Sequence, residues 1–108
     1  MKLHKSFVCV KMINNYKRLL RNLKSGKIKL SFYVVAFVND NESLEIINSY
    51  MFLQKYIRMQ RYEFVCFTIT KYEAFEYIRR LAEVSIRKYG EFNAKRTLAE
   101  IGREELTI

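Results

Sequence analysis

The stretch KIKLSFYVVAFV, residues 27–38, decides how this chain is expected to fold. Its even-numbered positions, from Ile28 to Val38, are all apolar, which is the period of two that a β-strand produces. Its odd-numbered positions are polar up to residue 31 and apolar from Tyr33 onward. A strand that begins half-exposed and ends covered on both faces is typical of the centre of a sheet.

Helices and further strands alternate around this central strand. Strands are predicted over residues 6–13 and 61–70, and helices over residues 14–25, 43–59, 71–89 and 93–105. The first helix has an asparagine cap at position 14 or 15 and a left-handed stop at Gly26. Thr70 and Glu73 match a capping box at the start of the third helix, which ends at Gly90.

The order of elements is β-α-β-α-β-α-α, and the predicted fold class is α/β. We expect a small three-stranded, mainly parallel sheet with helices packed on it. The alternative is an α+β arrangement, in which the first strand is antiparallel or belongs to a longer first helix. A chain of 108 residues without a linker or repeat is expected to form one domain over residues 1–108. It has a basic segment at residues 1–38 and a charge-neutral segment at residues 39–108.

Positive charge is concentrated in the first third of the chain. Residues 1–39 contain nine Lys and Arg and no Asp or Glu, which accounts for the whole net charge of +9. Within NNYKRLLRNLKSGKIK, residues 14–29, six positive charges occur, and four of them share the helix face opposite the leucines. The six are Lys17, Arg18, Arg21, Lys24, Lys27 and Lys29. Like charges so close together repel, so an anionic partner would stabilise them.

This charge pattern predicts a nucleic-acid-binding surface. Lys and Arg side chains neutralise phosphates and release counterions, which gives affinity without base contacts. We therefore expect a small non-enzymatic protein that binds DNA or RNA through these six residues. The alternative is a protein–protein interaction module with an acidic protein partner. Abundant Lys, Asn and Ile with no Pro or Trp are typical of AT-rich genomes, many of them viral, so a viral accessory protein fits that alternative.

Polar residues after the predicted strands raise a second alternative, a metal-dependent nuclease-like site. Such sites gather at the carboxyl ends of strands, where Asp40 and Glu42 could hold a divalent metal near Lys71. Asn, Asp and Ser at these positions are also what the start of a helix prefers, and we favour capping. We predict no catalytic residue, no metal and no cofactor, because the three glycines build no phosphate-binding loop and His4 is isolated.

The predicted second helix, residues 43–59, is apolar on two sides. One stripe should pack on the sheet: Ile46, Ile47, Tyr50, Leu53 and Ile57. Phe52, Tyr56 and Met59 fall on the opposite face, and three such side chains in water usually mark an interface. These side chains would be covered either by the last helix, residues 93–105, or by a second copy of the chain. We predict the second copy, and hence a homodimer with these three residues at or near the contact.

The remaining features concern the thiols and the location of the protein. Cys9 and Cys66 each lie in an apolar run and are predicted to be buried and reduced. The longest apolar run, residues 32–38, is too short to span a bilayer, and the N-terminal sequence does not resemble a signal peptide. We therefore expect a cytoplasmic protein that does not act at a membrane.

Overall fold

The computed structural model of the chain describes residues 1–101. Its elements, in chain order, are β1 (Lys2–Cys9), α1 (Tyr16–Ser25), β2 (Tyr33–Val38), β3 (Leu44–Asn48), a 3-10 helix (Ser49–Leu53), α2 (Lys55–Arg58), β4 (Tyr62–Thr68), α3 (Lys71–Tyr89) and α4 (Ala94–Glu100). None of the helices in this range has both the length and the apolar character needed to cross a membrane. The predicted last helix, residues 93–105, corresponds to α4, and its positions after 101 lie outside the described residues.

The four strands form one mixed sheet in the order β1-β4-β2-β3. β1 runs parallel to β4, whereas β2 is antiparallel to both β4 and β3. The protein is therefore of mixed α/β class, but the prediction of a three-stranded, mainly parallel sheet is wrong. β2 is a central strand, as its sequence predicted, and residues 34–38 are all buried. The first half of the predicted strand, residues 27–32, precedes β2 without belonging to it.

Helices cover both faces of the sheet. On one face, α3 and α4 pack on β2 and β4 through a core that includes Tyr77, Leu81 and Leu98. On the other face, Leu23 of α1 and Phe52 of the 3-10 helix pack on aromatic side chains of β4. Because β2 and β4 are covered on both sides, their sequences read as almost continuous apolar runs rather than as alternating ones.

Residues 43–59 do not form the predicted second helix. Instead, β2 turns directly into β3 at Asn39 and Asp40, whose φ angles are 53° and 62°. Two successive left-handed residues are what a type I′ hairpin turn requires, and the Asn41 amide closes the turn by donating to the Val38 carbonyl at 3.0 Å. The 3-10 helix and the single turn of α2 follow β3. The asparagine and aspartate interpreted as helix caps are therefore hairpin residues.

The predicted starts of α1 and α3 are confirmed. Asn15 caps α1, and its side-chain oxygen accepts from the Arg18 amide at 3.1 Å. At α3, the Thr70 hydroxyl accepts from the Glu73 amide at 3.1 Å. The Glu73 carboxylate accepts from the Thr70 amide at 2.9 Å, which completes the capping box. These contacts are local, which is why the sequence was sufficient to locate them.

The glycines that end α1 and α3 share a conformation but not an environment. Gly26 and Gly90 have φ angles of 73° and 76°. A Cβ added at Gly26 would lie 2.5 Å from Nη1 of Arg58, whereas one added at Gly90 would meet nothing within 4 Å. The same Nη1 donates to the carbonyl oxygens of Phe52 and Leu53 at 2.8 and 3.0 Å. Moving Arg58 aside would therefore weaken two hydrogen bonds.

We expect Gly26→Ala to destabilise the protein more than Gly90→Ala. Both variants place a Cβ in the left-handed region, which costs about 1 kcal/mol. Only Gly26→Ala also displaces Arg58, and this adds about 1 kcal/mol to the loss in free energy of unfolding. Urea unfolding of the two variants measures the difference, and equal losses would show that Arg58 moves aside without cost.

The two cysteines are unpaired thiols on opposite faces of the sheet, as expected for reduced residues. Cys66 is buried in the core beneath α3, as predicted. Cys9 is only half-buried against the core beneath α1, so the prediction that both thiols are buried is wrong for Cys9. Burial raises the pKa of both thiols. Neither is therefore a reactive thiolate at neutral pH, which fits packing rather than chemistry.

Candidate nucleic-acid interface

α1 presents one apolar face and one basic face. Leu23 is fully buried against the sheet, and Leu19 and Leu20 are half-buried beside it. All six predicted binding residues are exposed: Lys17, Arg18, Arg21, Lys24, Lys27 and Lys29. The burial of the leucines therefore turns the four basic residues of α1 toward solvent.

No carboxylate in residues 1–101 forms an ion pair with any of these six side chains. Some cations elsewhere in residues 1–101 are paired: Arg79 binds Glu76 at 2.8 Å, and Arg61 binds Asp40 at 3.1 Å. The sequence of α1 contains no acidic residue at all. Its positive charge is thus available to an external anion.

The direction of β2 determines where the lysines after α1 lie. Because β2 is antiparallel to β4, its first residue, Tyr33, pairs with Thr68 at the end of β4. The segment before β2 therefore lies at the edge of the sheet where β1 and β4 end. In the parallel sheet that the sequence predicted, this segment would have been at the opposite edge.

A groove of about 560 Å³ opens between α1, the segment before β2 and the turn after β1. We call it the α1 groove. Three apolar side chains in its lining are exposed: Met12 by 77%, Leu30 by 64% and Ile69 by 39%. Among the described residues that line it, the charged ones are Arg18 and Lys29, and both are cations. The groove thus combines an apolar wall with a positive rim.

Hydrogen bonds hold both walls of the α1 groove in place. The Ser49 hydroxyl donates to the Leu30 carbonyl at 2.7 Å and accepts from the Phe32 amide at 3.0 Å. Ser49 is itself fully buried, so this attachment is shielded from water. On the other side, the Ile13 amide donates to the Val10 carbonyl at 3.0 Å. The exposed Leu30 is therefore on a fixed backbone, and the groove is pre-formed.

Four neutral polar side chains also line the groove, and two of them are already engaged. The Asn15 oxygen caps α1, and the Ser31 hydroxyl accepts from the Asn48 side-chain amide at 3.1 Å. The side chains of Asn14 and Asn22 make no hydrogen bond with another residue in the described range. Each offers one acceptor oxygen and an amide donor to a ligand.

The predicted nuclease-like constellation is not assembled. Val38, the last residue of β2, pairs with Tyr62, the first residue of β4, so Asp40 and Glu42 follow β2 at the edge opposite Lys71. The Asp40 carboxylate pairs with an arginine at 3.1 Å instead. In the part of the chain that the structure describes, no three His, Cys, Asp or Glu side chains are grouped to hold a metal.

The three predicted interface residues do not share one environment. Phe52, in the 3-10 helix, is fully buried, with its ring centroid 5.1 Å from that of Tyr62 and 6.3 Å from that of Phe64. Tyr56 and Met59 are exposed, by 65% and 72%. The expectation that all three share one exposed helical stripe is therefore wrong. Nor does α4 cover Phe52, because α4 packs on the opposite face of the sheet.

The strongest pKa shifts lie in the protein core, away from the α1 groove. Burial raises the pKa of the Cys66 thiol and of the Tyr77 phenol, which share the core beneath α3. Burial also raises the pKa of Tyr62 to about 12, and its hydroxyl donates to the Ile57 carbonyl at 2.6 Å. All three groups stay protonated at neutral pH, so they supply packing rather than proton transfer.

The apolar residues of the groove were missed by the sequence reasoning. The sequence pattern places Leu30 on the buried face of a strand, and Met12 and Ile69 at the ends of two others. One feature of the sequence could have indicated an exposed segment here: two lysines flank Ile28 directly after the glycine that ends α1. Alternating polar residues at such a position also fit an exposed connection.

Comparisons with protein-family models, with curated proteins and with solved structures each find no match. The chemistry of the exposed side chains is therefore the basis for a functional assignment.

Proposed function

We propose that the protein binds nucleic acid through α1 and the two lysines that follow it. The observation that supports this most is the run of six exposed cations in residues 17–29, none with a carboxylate partner in residues 1–101. A row of cations suits a polyanion, because successive phosphates can each be neutralised by one side chain.

The proposed role is binding rather than catalysis. Each Lys or Arg that neutralises a phosphate releases a condensed counterion, and this release supplies affinity for any sequence. Asn14 and Asn22 lie beside the cations and can donate hydrogen bonds to phosphate or sugar oxygens. The surface would therefore hold the backbone of the nucleic acid and set its path across α1.

Salt dependence tests this proposal directly. If about four to six phosphates are contacted on duplex DNA, log affinity should fall against log salt with a slope of about −4 to −5. Fluorescence anisotropy with a random-sequence duplex, between about 50 and 200 mM salt, measures the slope. A slope near zero would contradict the proposal. Capture of an acidic protein without any nucleic-acid binding would favour the interaction module instead.

We further propose that two copies of the chain pair through the surface at residues 50–59. Five large apolar side chains are exposed there: Tyr50, Met51, Leu53, Tyr56 and Met59. A patch of this kind usually marks an interface, and a two-fold pairing is the commonest closed arrangement. A dimer would offer two copies of α1 to one nucleic acid and so increase avidity. Phe52 would support the patch from the core rather than contact the second copy.

A further inference from the structure

We propose that the α1 groove takes bases of a single-stranded nucleic acid while the surrounding cations hold its phosphates. This inference rests on the proposed function and adds to it a preference for unpaired strands. In a duplex the faces of the bases are hidden in the stack, whereas a single strand can turn a base outward into a pocket.

Charge defines the class of occupant. Arg18 and Lys29 line the groove. Beyond the groove, the positive charge continues along α1 through Lys17, Arg21 and Lys24. A small anionic ligand would neutralise one or two of these side chains and leave the others repelling each other. An extended chain of phosphates neutralises the whole row. The occupant is therefore a polyanion whose repeating unit also has an apolar part.

The lining of the groove matches the flat face of a base. Its volume of about 560 Å³ lies within the roughly 300–1,000 Å³ of pockets that bind small molecules. The exposed Met12 and Leu30 supply apolar contact, and the thioether of methionine packs well against aromatic rings. Phe32 also lines the groove, and its ring packs against Phe67 in the core beneath. Unpaired bases have aromatic faces that such a wall would shield from water.

The two unengaged amides match the edge of a base. A base carries donors and acceptors in the plane of its ring, and Asn14 and Asn22 each present both kinds of group beside the apolar wall. An acidic peptide is the competing occupant, since it would also satisfy the cations. Its carboxylates only accept hydrogen bonds, so only its backbone N–H groups could donate to the amide oxygens, whereas a base carries donors and acceptors together on one ring edge. The groove therefore favours a nucleotide over a glutamate-rich segment.

The test compares a single strand with a duplex of the same length, in wild type and in Leu30→Lys. Wild type should bind a fluorescein-labelled oligothymidine at least ~5-fold more tightly than the duplex. Leu30→Lys places an ammonium group in the apolar wall and should weaken single-strand binding about 10-fold. Because it adds a positive charge, duplex binding should stay the same or rise. Ile86→Lys, on α3 and 55% exposed, is the matched control, and it should leave the strand preference unchanged.

The outcomes separate the two proposals. If Leu30→Lys binds both nucleic acids as wild type does, or if wild type prefers duplex, the groove proposal is overturned while the phosphate surface stands. If wild type binds neither nucleic acid, both proposals fall. An amphipathic peptide with leucines on one face and glutamates on the other serves as the third probe. If Leu30→Lys loses binding to this peptide but keeps its binding to both nucleic acids, the occupant is a protein segment, and the inference is likewise overturned.

Discussion

Replacing Lys17, Arg18, Arg21 and Lys24 together with glutamate should abolish nucleic-acid binding while the chain stays folded. Each replacement lowers the charge by two, so the net charge falls from +9 to +1. Four attractive contacts become repulsive, and we expect affinity to fall by at least ~100-fold near 100 mM salt. Anisotropy titrations with single-stranded and duplex probes measure the loss, and circular dichroism checks the fold.

The variant should fold because the four residues contribute little to packing. All are exposed, whereas the leucines of α1 that face the sheet are unchanged. Glutamate at positions 17 and 18 is favourable at the positive end of the helix dipole, which offsets the loss of Lys24 from the last turn. Binding equal to that of wild type would contradict the proposed function.

A matched pair of single variants separates local charge from net charge. Arg21→Glu and Arg87→Glu each change one exposed helical arginine and lower the net charge by two. Arg87 lies on α3, on the other side of the sheet from α1. Only Arg21→Glu should weaken binding, by about 10-fold, and reduce the salt slope by about 1. Equal losses would mean that overall charge, not the surface of α1, attracts the nucleic acid.

The parts of the fold that depend on neighbouring residues could be predicted from the sequence. The Asn15 cap and the Thr70–Glu73 capping box involve atoms three residues apart, so short sequence motifs are enough to predict them. The central position of β2 was also predictable, because a strand buried on both faces has to be apolar on both faces. Each of these features is specified by a few consecutive side chains.

The hairpin after β2 was open to two interpretations. Asn39 and Asp40 suit the start of a helix, but they also tolerate the left-handed conformation that a type I′ turn needs. Ile46 and Ile47 then fit a helical stripe as well as β3, whose residues pair with β2 from Tyr33–Asn48 to Phe37–Leu44. Pairing with β2 decides between them, and that is a contact across the sheet rather than a local preference.

The groove could not be predicted for the same reason. It exists because β2 is antiparallel to β4, which brings Lys29 and Leu30 beside Arg18 and Ile69. Strand direction depends on contacts between segments far apart in sequence. The basic residues could be found from charge alone, since an unpaired run of Lys and Arg is visible without a fold. The apolar half of the candidate site required the sheet topology.

Phe52→Glu should unfold the protein rather than merely separate a dimer. The Phe52 side chain is fully buried, beside the rings of Tyr62 and Phe64 and in the same core as Leu23. Truncating such a ring costs about 3–5 kcal/mol, and burying a carboxylate in its place costs more. A small domain has only about 5–15 kcal/mol of stability, so most of it would be lost. Loss of the cooperative transition in thermal unfolding is the expected result.

Met59→Glu is the control, because it introduces the same charge at a side chain that is 72% exposed. A surface change of this kind should alter the free energy of unfolding by no more than about 0.5 kcal/mol. If two copies pair through residues 50–59, light scattering should give twice the chain mass for wild type and the single chain mass for Met59→Glu. A Phe52→Glu protein that stays folded would contradict the placement of Phe52 in the core. A folded Met59→Glu protein with the mass of wild type would instead show that Met59 takes no part in a contact between copies. The two variants thus separate the effect of a charge in the core from the effect of a charge at the surface where two copies would pair.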